Sequence, residues 1–234
     1  MKIFIDAGHN FSGADTGAVA NGIREQDITF LIADKLKNLL ISSGHEVFMS
    51  RNNLQDNVGS TLSDSLNTRV NLANRYGTEF FISIHCNAFN GEASGTETLI
   101  FSFNSKAYEY AKRIQKAITQ KLGTKDRGVK ERKDLAVLKK TLMPAVLVET
   151  AFIDNEYDAE LLIKRQDDFA EAIFEGITGS KYMAEVSETD GLVAEFSKRG
   201  IITDKKLWLS KFAEDKNAYF LAKKVLDYMK RRGI

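Results

Sequence analysis

The sequence predicts an α/β fold, a mixed and mostly parallel sheet layered between helices, with a small all-helical module after it. Three observations carry that prediction. From residue 2 to about residue 177, short apolar runs that read as strands alternate with segments of helical periodicity. Two of the runs, Phe80-Phe81-Ile82-Ser83-Ile84 and Ala145-Val146-Leu147-Val148, are nearly continuous, the pattern of strands covered on both faces. Past Gly179-Ser180 the composition changes: residues 181–234 carry 12 basic and 8 acidic side chains, a net of +4, leaving −3 for the first 180. Two domains are therefore expected, 1–179 and 180–234.

Each element has its own signal. Lys2 to Asp6 reads as a short buried strand that places His9 in the loop past its carboxyl end, where ligands and chemistry collect in open α/β sheets. Asn10 to Gly22 is a polar, glycine-bearing loop. Ile28, Leu31, Ile32, Leu36, Leu39 and Leu40 give Gln26 to Leu40 helical spacing, and Gly44 sits where a helix stops. Glu46 to Ser50 reads as a second strand, Asn52 to about Asp64 as a surface loop, and Leu66 to Tyr76 as a helix. His85 stands at the end of the Phe80 run. Thr96 to Phe103 alternates as a strand, Ala107 to Leu122 is a helix, Asp126 to Lys133 a charged loop, and Leu135 to Leu138 a short strand. Glu149 ends the Ala145 run, and helices over Glu156–Lys164 and Gln166–Ile177 close the domain. In the tail, Leu192, Val193 and Phe196 mark one helix. Thr203-Asp204 can cap a second holding Leu207, Trp208 and Phe212, and Tyr219, Ala222, Val225, Leu226 and Met229 line a third.

Composition narrows the function classes. Hydrophobic content of 43%, charged content of 28% and a formal charge of +1 describe an ordinary globular chain with no pull toward nucleic acid. The single cysteine, Cys86, excludes an internal disulfide and a multi-cysteine zinc site, so a metal would use His and carboxylates. No apolar run is long enough to span a membrane. A phosphate-binding G-x-x-x-x-G-K-[ST] loop and a G-x-S-x-G nucleophile elbow are both lacking.

His9, His85 and Glu149 each follow a strand, and Glu25 opens the helix returning from the first one. If those strands are parallel, all four residues meet at one edge of the sheet. Taken singly, each has an ordinary structural explanation; their convergence is what argues for chemistry. Two histidines and a carboxylate form a recurring catalytic zinc set with a fourth position for water, and a further carboxylate then serves as general base. His9, Glu25 and His85 are the expected ligands. Glu149 is the expected base, since an acid directly after four apolar residues is costly to bury without a purpose.

The stretches Asp6-Ala7-Gly8-His9, Arg24-Glu25, Ser83-Ile84-His85-Cys86-Asn87-Ala88 and Val148-Glu149-Thr150-Ala151-Phe152-Ile153-Asp154-Asn155 resemble the zinc-dependent N-acetylmuramoyl-L-alanine amidases, including clostridial phage endolysins and autolysins. Arg69 to Asn74 and Gly95-Thr96-Glu97 are similar to further signatures, and the likeness covers about residues 1 to 178. It implies a six-stranded sheet, one catalytic Zn2+ on His9, Glu25 and His85, and Glu149 as the catalytic acid. The implied substrate is bacterial peptidoglycan, cut between the lactyl group of N-acetylmuramic acid and L-alanine. Two departures stand out: Asn10-Phe11 replaces the glycine pair that often follows the first histidine, and Ala151 replaces a usual glycine. Rival readings are another zinc amidohydrolase, such as a peptidase or deacetylase, and a non-catalytic wall-binding protein on an amidase scaffold.

The remaining residues sort by position. Cys86 should face away from His85, because successive strand residues point to opposite faces, and His45 should lie at the far edge of the sheet. Asn87 is a candidate donor near the site or a turn former. Arg127 and Lys130, in the basic loop with Arg132 and Lys133, are candidate contacts for stem-peptide carboxylates. The C-terminal helices read either as a cap or as a module for wall binding or for joining two copies into a homodimer. No signal-peptide pattern precedes Asp6, so the expectation is synthesis in the cytoplasm and action on the cell wall after release.

Overall fold

A computed structural model describes residues 1–181 and 188–232. In chain order the elements are β1 (Lys2–Ala7), β2 (Val19–Ala20), β3 (Ile23–Arg24), α1 (Glu25–Ser42), β4 (Glu46–Met49), α2 (Leu62–Arg75) and β5 (Phe80–Asn87). They continue with β6 (Thr96–Ile100), α3 (Ala107–Leu122), β7 (Asp126–Glu131), α4 (Ala136–Lys139), β8 (Ala145–Phe152), α5 (Glu156–Lys164) and α6 (Gln166–Thr178). Helices α7 (Glu188–Lys198), α8 (Lys205–Glu214) and α9 (Lys216–Arg232) belong to a second unit; the units run Met1–Tyr182 and Met183–Ile234.

Six strands form one sheet in the order β4-β1-β5-β8-β6-β7. The strands β4, β1, β5 and β8 are mutually parallel, β6 runs antiparallel to β8, and β7 follows β6 in parallel. Alternation along the strands builds two cores. Ile3, Ile5, Ile82, Ile84, Val146 and Val148 pack with side chains of α1, α3, α5 and α6 on one face. Phe4, Phe81 and Leu147 pack with Val70 and Ala73 of α2 and with Val137 and Leu138 of α4 on the other. Both faces of β5 and β8 are thus covered, which is why their sequences are nearly all apolar.

Three segments differ from the sequence expectation. Asp126 to Glu131 is a strand at the sheet edge rather than a charged loop. An edge strand needs little apolar surface, and its charges discourage further pairing. Leu135 to Leu138 enters the short helix α4 instead of a strand, with Val137 and Leu138 both buried. The loop after His9 holds the hairpin β2–β3, whose turn, Asn21 at φ 49° and Gly22 at φ 75°, has the left-handed pair that an Asn-Gly hairpin uses.

In the C-terminal unit Leu192, Val193, Phe196, Ile202, Phe212 and Leu226 form a small core, with Trp208 and Tyr219 packed against it. Asp204 caps α8 by accepting from the Leu207 amide at 2.9 Å. Val225 is exposed instead of lining the core, and with Leu221 and Tyr228 it marks an outward stripe on α9. Among the described residues no helix is long and apolar enough to cross a membrane.

One buried cation ties α2 to the sheet. The Arg69 guanidinium, 2% exposed, donates to Asp6 Oδ1 at 2.6 Å, to the carbonyls of Ala7 and His9 at 2.8 Å each, and to Asn10 Oδ1 at 3.0 Å. Burial pushes the Asp6 carboxyl up, but Arg69 and the Ser83 hydroxyl outweigh it and hold it below the usual carboxylate range. Removing one member of a buried pair strands the other charge, at a cost of about 3–5 kcal/mol. Arg69→Met is therefore expected to lose stability on that scale in urea unfolding, far beyond a surface Arg→Met control such as Arg75→Met.

Candidate metal centre

Since β1, β5 and β8 are parallel neighbours, their carboxyl ends share one edge. His9 lies two residues beyond β1 with φ 64°, a left-handed turn that few non-glycine residues adopt. Alternation puts Phe81, Ser83 and His85 of β5 on one face, so Cys86 points into the core on the α1 side. In β8, Glu149 is the register partner of His85, and across the sheet Glu97 of β6 is the partner of Glu149. His85, Glu149 and Glu97 thus form a row across three strands. Glu25 opens α1 at the same edge, delivered by the β2–β3 hairpin.

The trio expected as ligands does come together. Glu25 Oε1 lies 3.1 Å from His9 Nε2 and 3.0 Å from His85 Nδ1, and one ligand atom from each residue falls within 4.8 Å of the others. Backbone amides fix the carboxylate: Ala18 N–H donates to Oε2 and Cys86 N–H to Oε1, each at 3.0 Å. Two glycines permit this approach. A Cβ on Gly8 would stand 2.5 Å from His85 Cε1, and one on Gly17 would stand 2.7 Å from Glu25 Oε2 and 2.8 Å from His9 Cδ2.

Electrostatics separates the two glutamates. Burial works against ionising Glu25, yet hydrogen bonds from His85 and His9 hold its carboxyl far below the usual range. Burial likewise works against a charged His9, but its hydrogen bonds to Asp15 and Glu25 carry it up to about 9. An ionised carboxylate between two imidazoles favours positive charge at this point, and the N/N/O donor set suits zinc. Among the described residues Glu149 has no such partner. Its Oε2 is buried without a hydrogen bond, and burial pushes the carboxyl up to about 7. It lines a cavity of about 340 Å³ together with His9, Glu25, His85, Asn87 and Arg132. A second cavity of about 250 Å³ opens beside it, walled by Leu62, Leu66, Leu135 and Val137 and reaching His9 and His85.

The other residues singled out in the sequence divide between the border of this cavity and more distant positions. Asn87, Arg127 and Lys130 converge on Glu97: Asn87 Nδ2 donates to Oε1 at 3.3 Å, Arg127 Nε to Oε2 at 2.9 Å and Lys130 Nζ to Oε2 at 2.5 Å. Burial opposes its charge, but Lys130 and Arg127 keep Glu97 below the usual range. Cys86 is buried beside Thr150, and burial raises its thiol well above normal. His45 precedes β4, at the opposite edge, against the chain's N-terminal amine. Asn10 is buried and exchanges hydrogen bonds with the Val58 backbone, while Phe11 lies under the Arg24 guanidinium at 4.6 Å. Asp15, Arg69 and Glu97 carry roles that the sequence alone does not signal, apart from the Arg69 to Asn74 and Gly95-Thr96-Glu97 signatures.

Residues 3–179 match the family described as N-acetylmuramoyl-L-alanine amidase. The chain belongs to that amidase family. It is 37% identical over 163 residues to the amidase CwlM of Bacillus licheniformis, covering 69% of this chain and 60% of that one. To the endolysin of Bacillus phage SPP1 it is 41% identical over 183 residues, 75% of this chain and 64% of the relative. The chain thus spans rather less than two thirds of these relatives. Among solved structures, the CwlD amidase of Clostridioides difficile in complex with the GerS lipoprotein superposes with a TM-score of 0.71 at 30% identity, over 76% of this chain and 96% of that one.

Two outcomes test this geometry. Gly8→Ala is expected to displace the His85 ring and, on the reading of the trio as a zinc site, to abolish zinc uptake, read by metal analysis of the folded variant. Glu149 binds its proton more tightly folded than unfolded, so its contribution to stability is greatest below pH 4.5 and is lost as pH rises through about 7. Glu149→Gln should accordingly raise the melting temperature of metal-free protein at pH 8, with a gain that shrinks toward pH 5.

Proposed function

We propose that this chain is a peptidoglycan hydrolase that cuts the amide between N-acetylmuramic acid and the L-alanine of the stem peptide, using one zinc ion. The observation that carries the reading is the meeting of His9, Glu25 and His85 within 4.8 Å, with Glu149 in register beside His85. His9 Nε2, His85 Nδ1 and a Glu25 oxygen would hold the ion. Zinc, when bound, supplies Lewis acidity that polarises a carbonyl and makes water a better proton donor near neutral pH.

The protein groups carry the proton. Glu149 Oε2, buried and unpartnered, accepts it from the attacking water and returns it to the leaving nitrogen as the carbon–nitrogen bond breaks. A carboxyl pushed toward 7 suits both halves of that transfer. The ligand amides of Ala18 and Cys86 keep Glu25 fixed meanwhile. Asn87, Arg127 and Lys130 are read as the substrate-side rim, working with Glu97 rather than as free cations. The C-terminal unit, basic overall and carrying the exposed stripe Leu221, Val225 and Tyr228, is read as the part that binds the wall or pairs two copies. The chain would act on the bacterial wall after leaving the cytoplasm.

Purified walls supply the test: loss of turbidity with chelator, and with zinc restored, while new amino termini are identified. Zinc-restored lysis exposing N-terminal L-alanine is expected; lysis exposing a different terminus would replace the amidase reading with another zinc hydrolase. Glu149→Gln should keep zinc, measured by metal analysis, and lose hydrolysis by at least about 100-fold, the scale of general acid–base catalysis.

A further inference from the structure

The two nitrogens of His9 meet different partners. Nε2 faces Glu25 Oε1 at 3.1 Å, within the proposed metal site. Nδ1 faces away from it, 3.2 Å from Asp15 Oδ1. Asp15 is 7% exposed and held in turn, its Oδ2 accepting from the Ser65 hydroxyl at 2.5 Å and lying 3.5 Å from Arg69 Nη2. Its backbone carbonyl accepts from the Asn10 amide at 2.6 Å, closing the loop around the ring.

We propose that Asp15 is a positioning residue for His9: its carboxylate fixes the ring orientation and the Nδ1–H tautomer, leaving the Nε2 lone pair for the metal. This rests on the reading of His9, Glu25 and His85 as a zinc site. The physical reason is that an ionised carboxylate can only accept: with a metal taking the place between Nε2 and Glu25, the nitrogen facing Asp15 is the one that carries the proton. An outer carboxylate of this kind also raises the basicity of the ligand ring, and its loss typically costs 10- to 100-fold in metal affinity. The ring needs such a hold because His9 lies in a loop, outside any strand or helix, on a left-handed backbone turn. Arg69 fixes that backbone through the His9 carbonyl, but among the described side chains it is Asp15 that engages Nδ1.

A carboxylate that only stapled the loop would show a different pattern from one that sets the tautomer. The test variant is Asp15→Asn, which keeps shape and an acceptor but can also present an amide donor to Nδ1. Asn10→Ala is the control, since it loosens the same loop at Val58 and Arg69 without touching the ring. Zinc affinity is read by competition with a chromophoric chelator, alongside the melting temperature of the metal-free protein. Long-range proton–nitrogen spectra of the zinc-loaded protein read the His9 tautomer.

Expected are Nδ1–H with zinc on Nε2 in the unchanged protein, and about a 10- to 100-fold weaker affinity in Asp15→Asn. Asn10→Ala should lower the melting temperature with less than a threefold change in affinity. Zinc binding by Asp15→Asn within twofold of the unchanged protein would overturn the inference, as would zinc on Nδ1 or equal affinity losses in both variants. Those results would leave the zinc reading standing. If the unchanged protein itself took up no zinc, the metal reading would fall and this inference with it.

Discussion

Arg69 carries a full charge into the interior, and the geometry around β1 follows from how that charge is satisfied. Its donors are shared among a carboxylate and the last carbonyl of β1, the His9 carbonyl in the turn beyond it and the side chain of Asn10. A guanidinium is suited to this because its planar fork of donors meets several acceptors at fixed angles. The helix that supplies it, α2, is thereby locked to the sheet at the point where His9 leaves it. Ser65, one turn earlier on the same helix, extends the hold to Asp15. The loop bearing a proposed ligand is thus tied to α2 at His9, Asn10 and Asp15.

The same edge holds two glutamates with opposite proton affinities. Glu25 meets two imidazoles and two backbone amides, so its charge is solvated by the protein. Glu149 stands one strand away from His85 with a buried oxygen that no described residue pairs. Identical side chains are thus set apart by their surroundings, one held ionised and the other with its proton held more tightly by burial. Glu97, next in the same row, is a third case: two cations and an amide fix it as a charged strut.

Several elements could be read directly because their physics is local. The runs in β5 and β8 are apolar on both faces since helices cover both, and a run of that kind is visible without a partner. Helix α3 was legible from Ala111, Ile114, Ile118 and Leu122, which fall on one buried face. Strand β7 was not, because an edge strand with the pattern Asp126-Arg127-Gly128-Val129-Lys130-Glu131 carries charge where a central strand carries valine. The β2–β3 hairpin had its Asn21-Gly22 signal, but its strands are only two residues each and show no alternation to flank it.

By itself the sequence determined the α/β layering, the residues at the strand ends and the kinship those residues imply, because apolar periodicity and short motifs are properties of neighbours in the chain. Tertiary structure decided what those residues touch. Strand order put Glu149 between His85 and Glu97, and it turned Asn87, Arg127 and Lys130 toward a carboxylate instead of open solvent. It also placed Asp15 behind His9 and Arg69 beneath both. Such pairings join residues up to some sixty positions apart, and they exist only once the parallel sheet and its covering helices have set the distance between them.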